Sequence, residues 1–159
     1  MRKTLINQAV ENSPFPDLNF LDLEHLAQIE FTSECLEHPV ESALLLTEGL
    51  GPGWQAASGG EQIIRVVFDQ PRTIEHVVLV FDETQQSRTQ EFVLLWLMDN
   101  EGCYREILRQ QYHFSPPNTS REIEHYEVNL NQLKVLELRI TPDIGGGEAC
   151  AKLKQLRLA

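Results

Sequence analysis

The side chains able to do chemistry are few and scattered along the sequence. It contains five histidines, and none stands at a spacing that zinc sites use. No nucleophile elbow, zinc-protease motif or EF-hand loop occurs. Gly145–Gly147 lack the Lys-Ser/Thr pair of a phosphate-binding loop, so a plain turn is expected there. These residues predict a protein that is not an enzyme and that has neither a metal nor another cofactor.

Two of the histidines lie in strand-like runs. His76 is part of "IEHVVLVF", where alternation places it on the face of Ile74 and Val78. It is therefore expected to be a core or edge histidine and not a ligand. The run "EHYEVNL" also alternates, with His125 and Glu127 on the face opposite its apolar residues.

Trp54 could contact a ligand, because it stands among glycines in "GPGWQAASGG". Its ring would then be an exposed platform for a sugar, whereas the alternative is a core side chain fixed by the loop. Large aromatic residues beside a β core are usually buried, and a buried indole N–H requires a hydrogen-bond acceptor. We therefore expect Trp54 to lie in the core.

The charge balance limits the partners of the protein. Thirteen basic and 24 acidic residues give a net charge of −11, and no Lys/Arg cluster interrupts this negative charge. Nucleic acids and membrane surfaces are therefore not expected partners. The opening residues do not form a secretory signal, and three cysteines without a C-x-x-C pair suggest neither a disulfide framework nor a zinc site. A cytoplasmic location is the corresponding expectation.

The elements that would position these residues are mainly strands. Runs such as "IIRVVF", "EFVLLWLM" and "LKVLELRI" are apolar or alternating and are separated by turn signals. No long helical pattern stands between them. A chain of 159 residues also suits a single core. These features predict an all-β fold, an antiparallel β-sandwich.

The first third of the chain has a different pattern. Residues 1–27 are expected to form an N-terminal extension with a short helix capped by Asp17, and residues 28–159 the sandwich. A second short helix is expected in "PVESALLL", with Pro39 at its first position. Between them "AQIEFTSE" is typical of a strand, and we expect Gln28–Thr32 to pair near the closing strand Leu153–Leu158.

The order of a set of residues gives the chain a family resemblance. The set is Ser33, Glu34, His38, Pro39, Glu41, Trp54, Phe68, Pro71, Ile74, Arg88 and Phe92. In this order they resemble a discoidin (coagulation-factor type C) domain of the galactose-binding-like superfamily, over roughly Gln28 to Leu158. The resemblance implies a jelly roll of about eight strands, whose ligands meet the loops at one end. It also implies a core position for Trp54.

The sequence departs from the galactose-binding members of that family. Those members usually carry a histidine directly after the tryptophan and an arginine at the end of the strand that here finishes "LVF". This chain has Gln55 and Phe81-Asp82 at those places. Its counterpart of the family's calcium loop, "LLLTEGLGPG", offers Glu48 alone as a carboxylate. Neither a galactose site of the usual kind nor a structural calcium ion is therefore expected.

The family's ligand-binding loops correspond here to residues 34–40, 47–55, 82–88 and 142–148. The candidate ligand-binding residues in them are Glu34, His38, Glu48, Gln55, Glu83 and Arg88. Carboxylates, amides and guanidinium groups form the hydrogen bonds that hydroxyl-rich ligands accept. Arg88 is the leading candidate because it is always charged, and its alternative role is a salt bridge to Glu83 or Glu91.

Two functions follow from the resemblance. The first is a non-catalytic module that binds a carbohydrate or another small polar ligand through these loops. The alternative is an intracellular protein–protein interaction module of a larger complex, because intracellular members of the family dock partner proteins.

Overall fold

A computed structural model describes residues 18–46 and 51–159 of the chain. The elements in these residues are α1 (Leu23–Leu26), β1 (Ala27–Phe31), α2 (Glu41–Leu44), β2 (Trp54–Gly59), β3 (Gln62–Asp82), β4 (Arg88–Met98), β5 (Arg105–Phe114), β6 (Arg121–Thr141), β7 (Cys150–Leu153) and β8 (Gln155–Leu158). Every strand pairing among them is antiparallel. The predicted all-β sandwich of about eight strands is confirmed. None of the helices in this part of the chain is long and apolar enough to cross a membrane.

A long two-stranded ribbon organises the sandwich. Strands β3 and β6 have 21 residues each and pair along their length, with register shifts in Val67–His76. Beyond these shifts Phe81 of β3 stacks on Phe92 of β4, with 5.2 Å between the ring centroids. Phe92 pairs with Ile140 of β6, which in turn pairs with Gln62 at the other end of β3. The β3–β6 ribbon therefore folds back on itself, so both ends of β3 lie at one end of the sandwich.

The other strands extend the two halves of the ribbon into two layers. Strand β1 pairs with Ile64–Phe68 of β3, and β8 pairs with Val77–Val80 of the same strand. Because β6 occupies the opposite edge of β3, β1 and β8 follow each other along one edge. The first strand was predicted to lie near the closing strand; the two share β3 as a partner and do not pair with each other. Strands β4 and β5 complete the layer that contains β1 and the first half of β3.

The burial pattern of β3 reflects its two environments. In its first half Ile64, Val66 and Phe68 are buried while the residues between them are partly exposed, so one face is solvated. In its second half the whole segment Val77–Phe81 is buried. The helix α2 lies against β8, the strand that pairs with this half of β3. The Arg157 guanidinium of β8 donates hydrogen bonds to the Ala43 and Leu45 carbonyls at the end of α2.

Both helices begin later in the chain than predicted. The helix α1 is a single turn capped by Asp22, whose carboxylate accepts the Glu24 N–H at 3.2 Å. Just before α1, the Leu21 N–H donates to the Leu158 carbonyl of the closing strand at 2.8 Å. The predicted cap, Asp17, lies outside the described residues. The helix α2 begins at Glu41 rather than at Pro39, with Val40 as its cap.

Candidate ligand-binding site

A cleft of about 300 Å³ opens at the end of the sandwich where both ends of β3 lie. Four segments form its walls: the loop before α2, the residues at the start of β2, the loop after β3, and the connection between β7 and β8. The lining residues are His38, Pro52, Trp54, Gln55, Asp82, Thr84, Gln85, Lys152, Leu153 and Lys154. We call this feature the loop-end cleft. Segments of three of the predicted ligand-binding loops meet in it, whereas the fourth, residues 142–148, does not line it.

The pairing of β2 with β7 places two polar side chains on one wall of the cleft. Trp54 pairs with Leu153, and Gln55 pairs with Lys152. Trp54 and Leu153 are buried in the core. Because side chains alternate along a strand and opposite residues share a face, Gln55 and Lys152 point to the other side, into the cleft.

Trp54 lies in the core, as predicted. Its side chain is 1% exposed, and the indole N–H donates to the Ser33 carbonyl at 3.0 Å. The ring therefore supports the floor of the cleft and offers almost no surface on which a sugar could stack.

The loop before α2 is attached to β2 by several hydrogen bonds. The Gln55 N–H donates to the His38 carbonyl at 3.2 Å, and the His38 Nδ1 lies 3.3 Å from the Gly53 carbonyl oxygen. His38 is thereby fixed at the rim of the cleft. Glu34 is turned away from the cleft, and its Oε2 accepts the Val40 N–H at 2.8 Å. Glu34 thus stabilises the loop that holds His38.

Glu83 and Arg88 form an ion pair inside the protein, so neither side chain is available to contact a ligand. Both side chains are 0% exposed, and the Arg88 Nε donates to the Glu83 Oε1 at 2.7 Å. The Arg88 Nη1 donates to the Pro142 carbonyl at 2.7 Å, and the guanidinium lies 4.8 Å from the Phe114 ring centroid. The expectation that Arg88 is an exposed loop residue is wrong, because Arg88 begins β4 and points inward. Its structural alternative, the salt bridge to Glu83, is present.

The buried pair also acts on the wall of the cleft. Burial raises the pKa of Glu83, but the Arg88 hydrogen bond, the Gln85 N–H and the charge of Lys152 outweigh it and hold that pKa below its ordinary value. The ionised Glu83 carboxylate lies 3.3 Å from the Lys152 Nζ and accepts the Gln85 N–H at 3.0 Å. Glu83 therefore positions two residues that line the cleft.

Sequence reasoning missed the two lysines of the cleft. Lys152 and Lys154 flank the buried Leu153, so alternation in "AKLKQL" could have indicated that both point outward. Nothing in that run shows that β7 pairs with β2, which is what brings the lysines to the loop end. The Lys154 Nζ donates to the Gly51 carbonyl at 2.6 Å. The remaining candidate, Glu48, lies outside the described residues.

The cleft can bind polar molecules through several kinds of group. Imidazole, amide, hydroxyl and ammonium groups line it, and each of them can pair with hydroxyl groups. Asp82 adds a carboxylate, which Arg121 holds through two hydrogen bonds of 2.6 and 2.9 Å. The arrangement is that of a small polar binding site on a rigid β scaffold.

Comparison with known proteins supports the fold. No protein-family model matches the chain, and no curated protein matches it in sequence. Solved structures do match in three dimensions. The family 32 carbohydrate-binding module of Clostridium perfringens NanJ, solved with galactose, has a TM-score of 0.62 at 12% identity, over 87% of this chain and 96% of that chain.

Two further structures show the same architecture. A family 32 module from a family 31 glycoside hydrolase of C. perfringens has a TM-score of 0.63 at 15% identity, over 87% of this chain and 93% of that one. A pectin-binding carbohydrate-binding module has a TM-score of 0.57 at 13% identity, over 84% and 90% of the two chains. The chain therefore has the discoidin-like, galactose-binding-like fold that the order of its residues implied.

Proposed function

We propose that the protein is a non-catalytic carbohydrate-binding module and that the loop-end cleft holds the sugar. The observation that carries the proposal is the cleft itself, in which His38, Gln55, Thr84, Gln85 and Lys152 converge at one end of the sandwich. These groups match the donors and acceptors of a hydroxyl-rich ligand. Support also comes from structures of the same fold that are named as a galactose complex and as a pectin-binding module.

The charge of the cleft bears on which sugar it binds. The chain has a net charge of −11, yet two ammonium groups, Lys152 and Lys154, stand together in the cleft. The Asp82 carboxylate, which lines the same cleft, is paired with Arg121. A sugar that bears a carboxylate would gain a charge-assisted hydrogen bond from either lysine. We therefore expect acidic glycans to bind more tightly than neutral ones of the same size.

A glycan array followed by calorimetric titration tests the proposal. The array should contain neutral glycans and glycans with uronic acids. We expect the full chain to bind glycans of at least one of these two classes. Replacing Gln55 by Ala or Lys152 by Met should then weaken binding of a retained glycan at least about tenfold, which is 1.4 kcal/mol.

The chain offers a matched control for each variant. Gln28→Ala removes an exposed amide from β1. Lys134→Met removes a positive charge near the bend in the middle of the ribbon, where the Lys134 ammonium donates to the Phe68 carbonyl. Both should leave glycan affinity unchanged. Retention of no glycan, or equal affinities for the cleft variants and the controls, would contradict the proposal and favour the protein-interaction alternative.

A further inference from the structure

Two histidines that are far apart in sequence meet on the second layer of the sandwich. His76 of β3 and His125 of β6 are separated by 49 residues, but the His76 Nδ1 lies 2.9 Å from the His125 Nε2. Their rings are stacked, with 5.1 Å between the centroids and 26° between the planes. Both side chains are partly buried. No metal-ligand spacing is visible in the sequence because the two histidines belong to different strands.

The backbone fixes this arrangement through an irregularity in β3. The N–H groups of Glu75 and His76 both donate to the Ala159 carbonyl, each at 2.8 Å, which is the pattern of a β-bulge. The bulge changes the alternation of side chains, so that Ile74 lies in the core while His76 turns to the outer face beside His125. The expectation that His76 shares a face with Ile74 is therefore wrong. Bulges of this kind often redirect a side chain next to a functional site.

A carboxylate stands beside the histidine pair. Glu127 of β6 is the cross-strand partner of His76, and it shares a strand face with His125 two residues before it. Residues directly opposite each other in an antiparallel pair have Cβ atoms about 4.5–5.5 Å apart. The Glu127 carboxylate and the two facing imidazole nitrogens are not all within 4.8 Å of one another, so Glu127 must change rotamer to become a ligand. A surface depression of about 390 Å³ adjoins them and is lined by Glu75, His76, Glu127, Val128 and Asn129.

We propose that His76 and His125, with Glu127 as a third ligand, bind a divalent transition-metal ion such as Zn²⁺ or Cu²⁺. Imidazole nitrogen is a preferred ligand of these ions. Zn–N bonds are about 2.0–2.1 Å long, so a tetrahedral ion holds two nitrogen ligands about 3.3 Å apart. The observed 2.9 Å approaches that separation, and a small rotation of the two rings would complete it.

The metal would take the place of a shared hydrogen. At 2.9 Å one of the two facing nitrogens donates an N–H and the other accepts it. When the ion binds, this hydrogen moves to the other nitrogen of the donating ring, so both facing lone pairs become available. Water would fill the remaining positions from the depression. Because β3 and β6 each contribute a ligand, binding should stabilise the native fold.

This site is separate from the loop-end cleft. His76 stands six residues before Asp82 on β3, which corresponds to about 20 Å along an extended strand. The proposal therefore does not depend on sugar binding.

The test is calorimetric titration of Zn²⁺ into the untagged full chain, with thermal unfolding measured in parallel. His76→Asn and His125→Gln are the sharpest variants, since the Asn and Gln amides occupy the places of the Nδ1 and Nε2 atoms that now meet. We expect one Zn²⁺ per chain and a higher melting temperature when it is bound. Either variant should weaken binding at least about tenfold, and Glu127→Gln by a smaller factor. With Cu²⁺, the electron paramagnetic resonance spectrum should show two nitrogen ligands in the native chain.

His113→Gln is the matched control, because His113 lies on β5 and bonds to the Thr89 hydroxyl instead of to another histidine. It should bind Zn²⁺ as the native chain does. The proposal is overturned if the native chain binds no Zn²⁺, or if the His76→Asn, His125→Gln double variant, still folded by circular dichroism, binds it equally well.

Discussion

Several charged and polar side chains lie inside the sandwich and are connected to one another. The Arg88 guanidinium pairs with Glu83 and donates to the Gln90 side-chain oxygen at 3.2 Å, and the Gln90 amide donates to Glu122 at 3.3 Å. All four residues are at most 2% exposed. They form a continuous line of polar contacts beneath the loop-end cleft. Removing one member leaves a buried partner unsatisfied, which costs far more than losing a surface ion pair.

The first prediction concerns Arg88. Arg88→Met keeps much of the side-chain volume but leaves the Glu83 carboxylate buried, with Lys152 as its only cationic partner among residues 18–46 and 51–159. We expect the free energy of unfolding to fall by about 3–5 kcal/mol. Denaturant titration measures this loss.

Arg109→Met provides the comparison for Arg88. Arg109 pairs with Glu91 and Glu106 on the surface, where its side chain is 53% exposed, so its loss should cost much less stability than the loss of Arg88. Adding Glu83→Gln to Arg88→Met should restore part of the lost stability, because the buried charge is then removed as well. Equal unfolding midpoints for Arg88→Met and Arg109→Met would show that the buried pair has no special role.

The second prediction concerns Glu122 and pH. Burial, followed by the hydrogen bond and the charge of Glu124, raises the pKa of Glu122 from 4.5 to about 8. Below pH 4.5 the carboxyl is protonated in both the folded and the unfolded chain and costs nothing. Between pH 4.5 and 8 only the unfolded chain releases the proton. Stability should therefore fall as pH rises through this window, by about 1.4 kcal/mol per unit.

Glu122→Gln should remove this pH dependence, because an amide stays neutral. The variant should be more stable than the native chain at pH 8 by about 3–5 kcal/mol, with little difference at pH 4.5. Unfolding free energies at the two pH values provide the measurement, with Glu61→Gln at an exposed position as the control. Parallel pH profiles for the native chain and Glu122→Gln would refute the assignment.

At the scale of elements, the short β2–β7 sheet determines the shape of the cleft. Gly53 precedes β2 with a φ of +84°, and its N–H donates to the Ser42 hydroxyl at 2.8 Å. A Cβ at this position would lie 2.8 Å from the Leu153 carbonyl oxygen and 3.0 Å from the Lys154 Cα. Both contacts are with backbone, which cannot rotate away. Glycine is therefore required here for the close approach of β7 as well as for its φ angle.

The third prediction separates these two requirements. Gly53→Ala should destabilise the protein more than Gly60→Ala, which has a similar φ of +85° but, within the described residues, no atom within 4 Å of its Cβ. Both variants incur the left-handed conformational cost of about 1–2 kcal/mol. Gly53→Ala should add about 1–3 kcal/mol because β7 must move away from β2. Thermal or denaturant unfolding measures both, and equal losses would mean that the close approach is unimportant.

At the scale of the whole molecule, the sandwich could be predicted from the sequence because its signals are local. The runs Ile63–Phe68 and Ile74–Phe81 are apolar enough to indicate strands, and both fall within β3. Trp54 could be assigned to the core because a large aromatic ring is rarely left exposed beside a β core. His38 and Gln55 were placed at the loop end by family resemblance, and the structure brings both to the cleft.

The parts that could not be predicted depend on contacts between distant strands. The sequence pattern assigns Arg88 to a loop. In the structure Arg88 begins β4, and its side chain points toward Glu83 and the Pro142 carbonyl. Lys152 reaches the cleft only because β7 pairs with β2. Alternation alone placed His76 on the wrong face, because a bulge leaves no mark in the amino-acid types around it. Long-range pairing decides all three positions, and a single sequence does not encode it in any local pattern.

The folded-back ribbon has a consequence for how the protein opens. Since β3 and β6 each belong to both layers, neither layer can detach without disrupting strands that the other layer needs. The layers should therefore exchange their amide hydrogens as one cooperative unit. The loop-end segments are held by fewer hydrogen bonds than the long strands and should open at a lower free energy. The loop end can thus change its conformation while the ribbon keeps the fold intact.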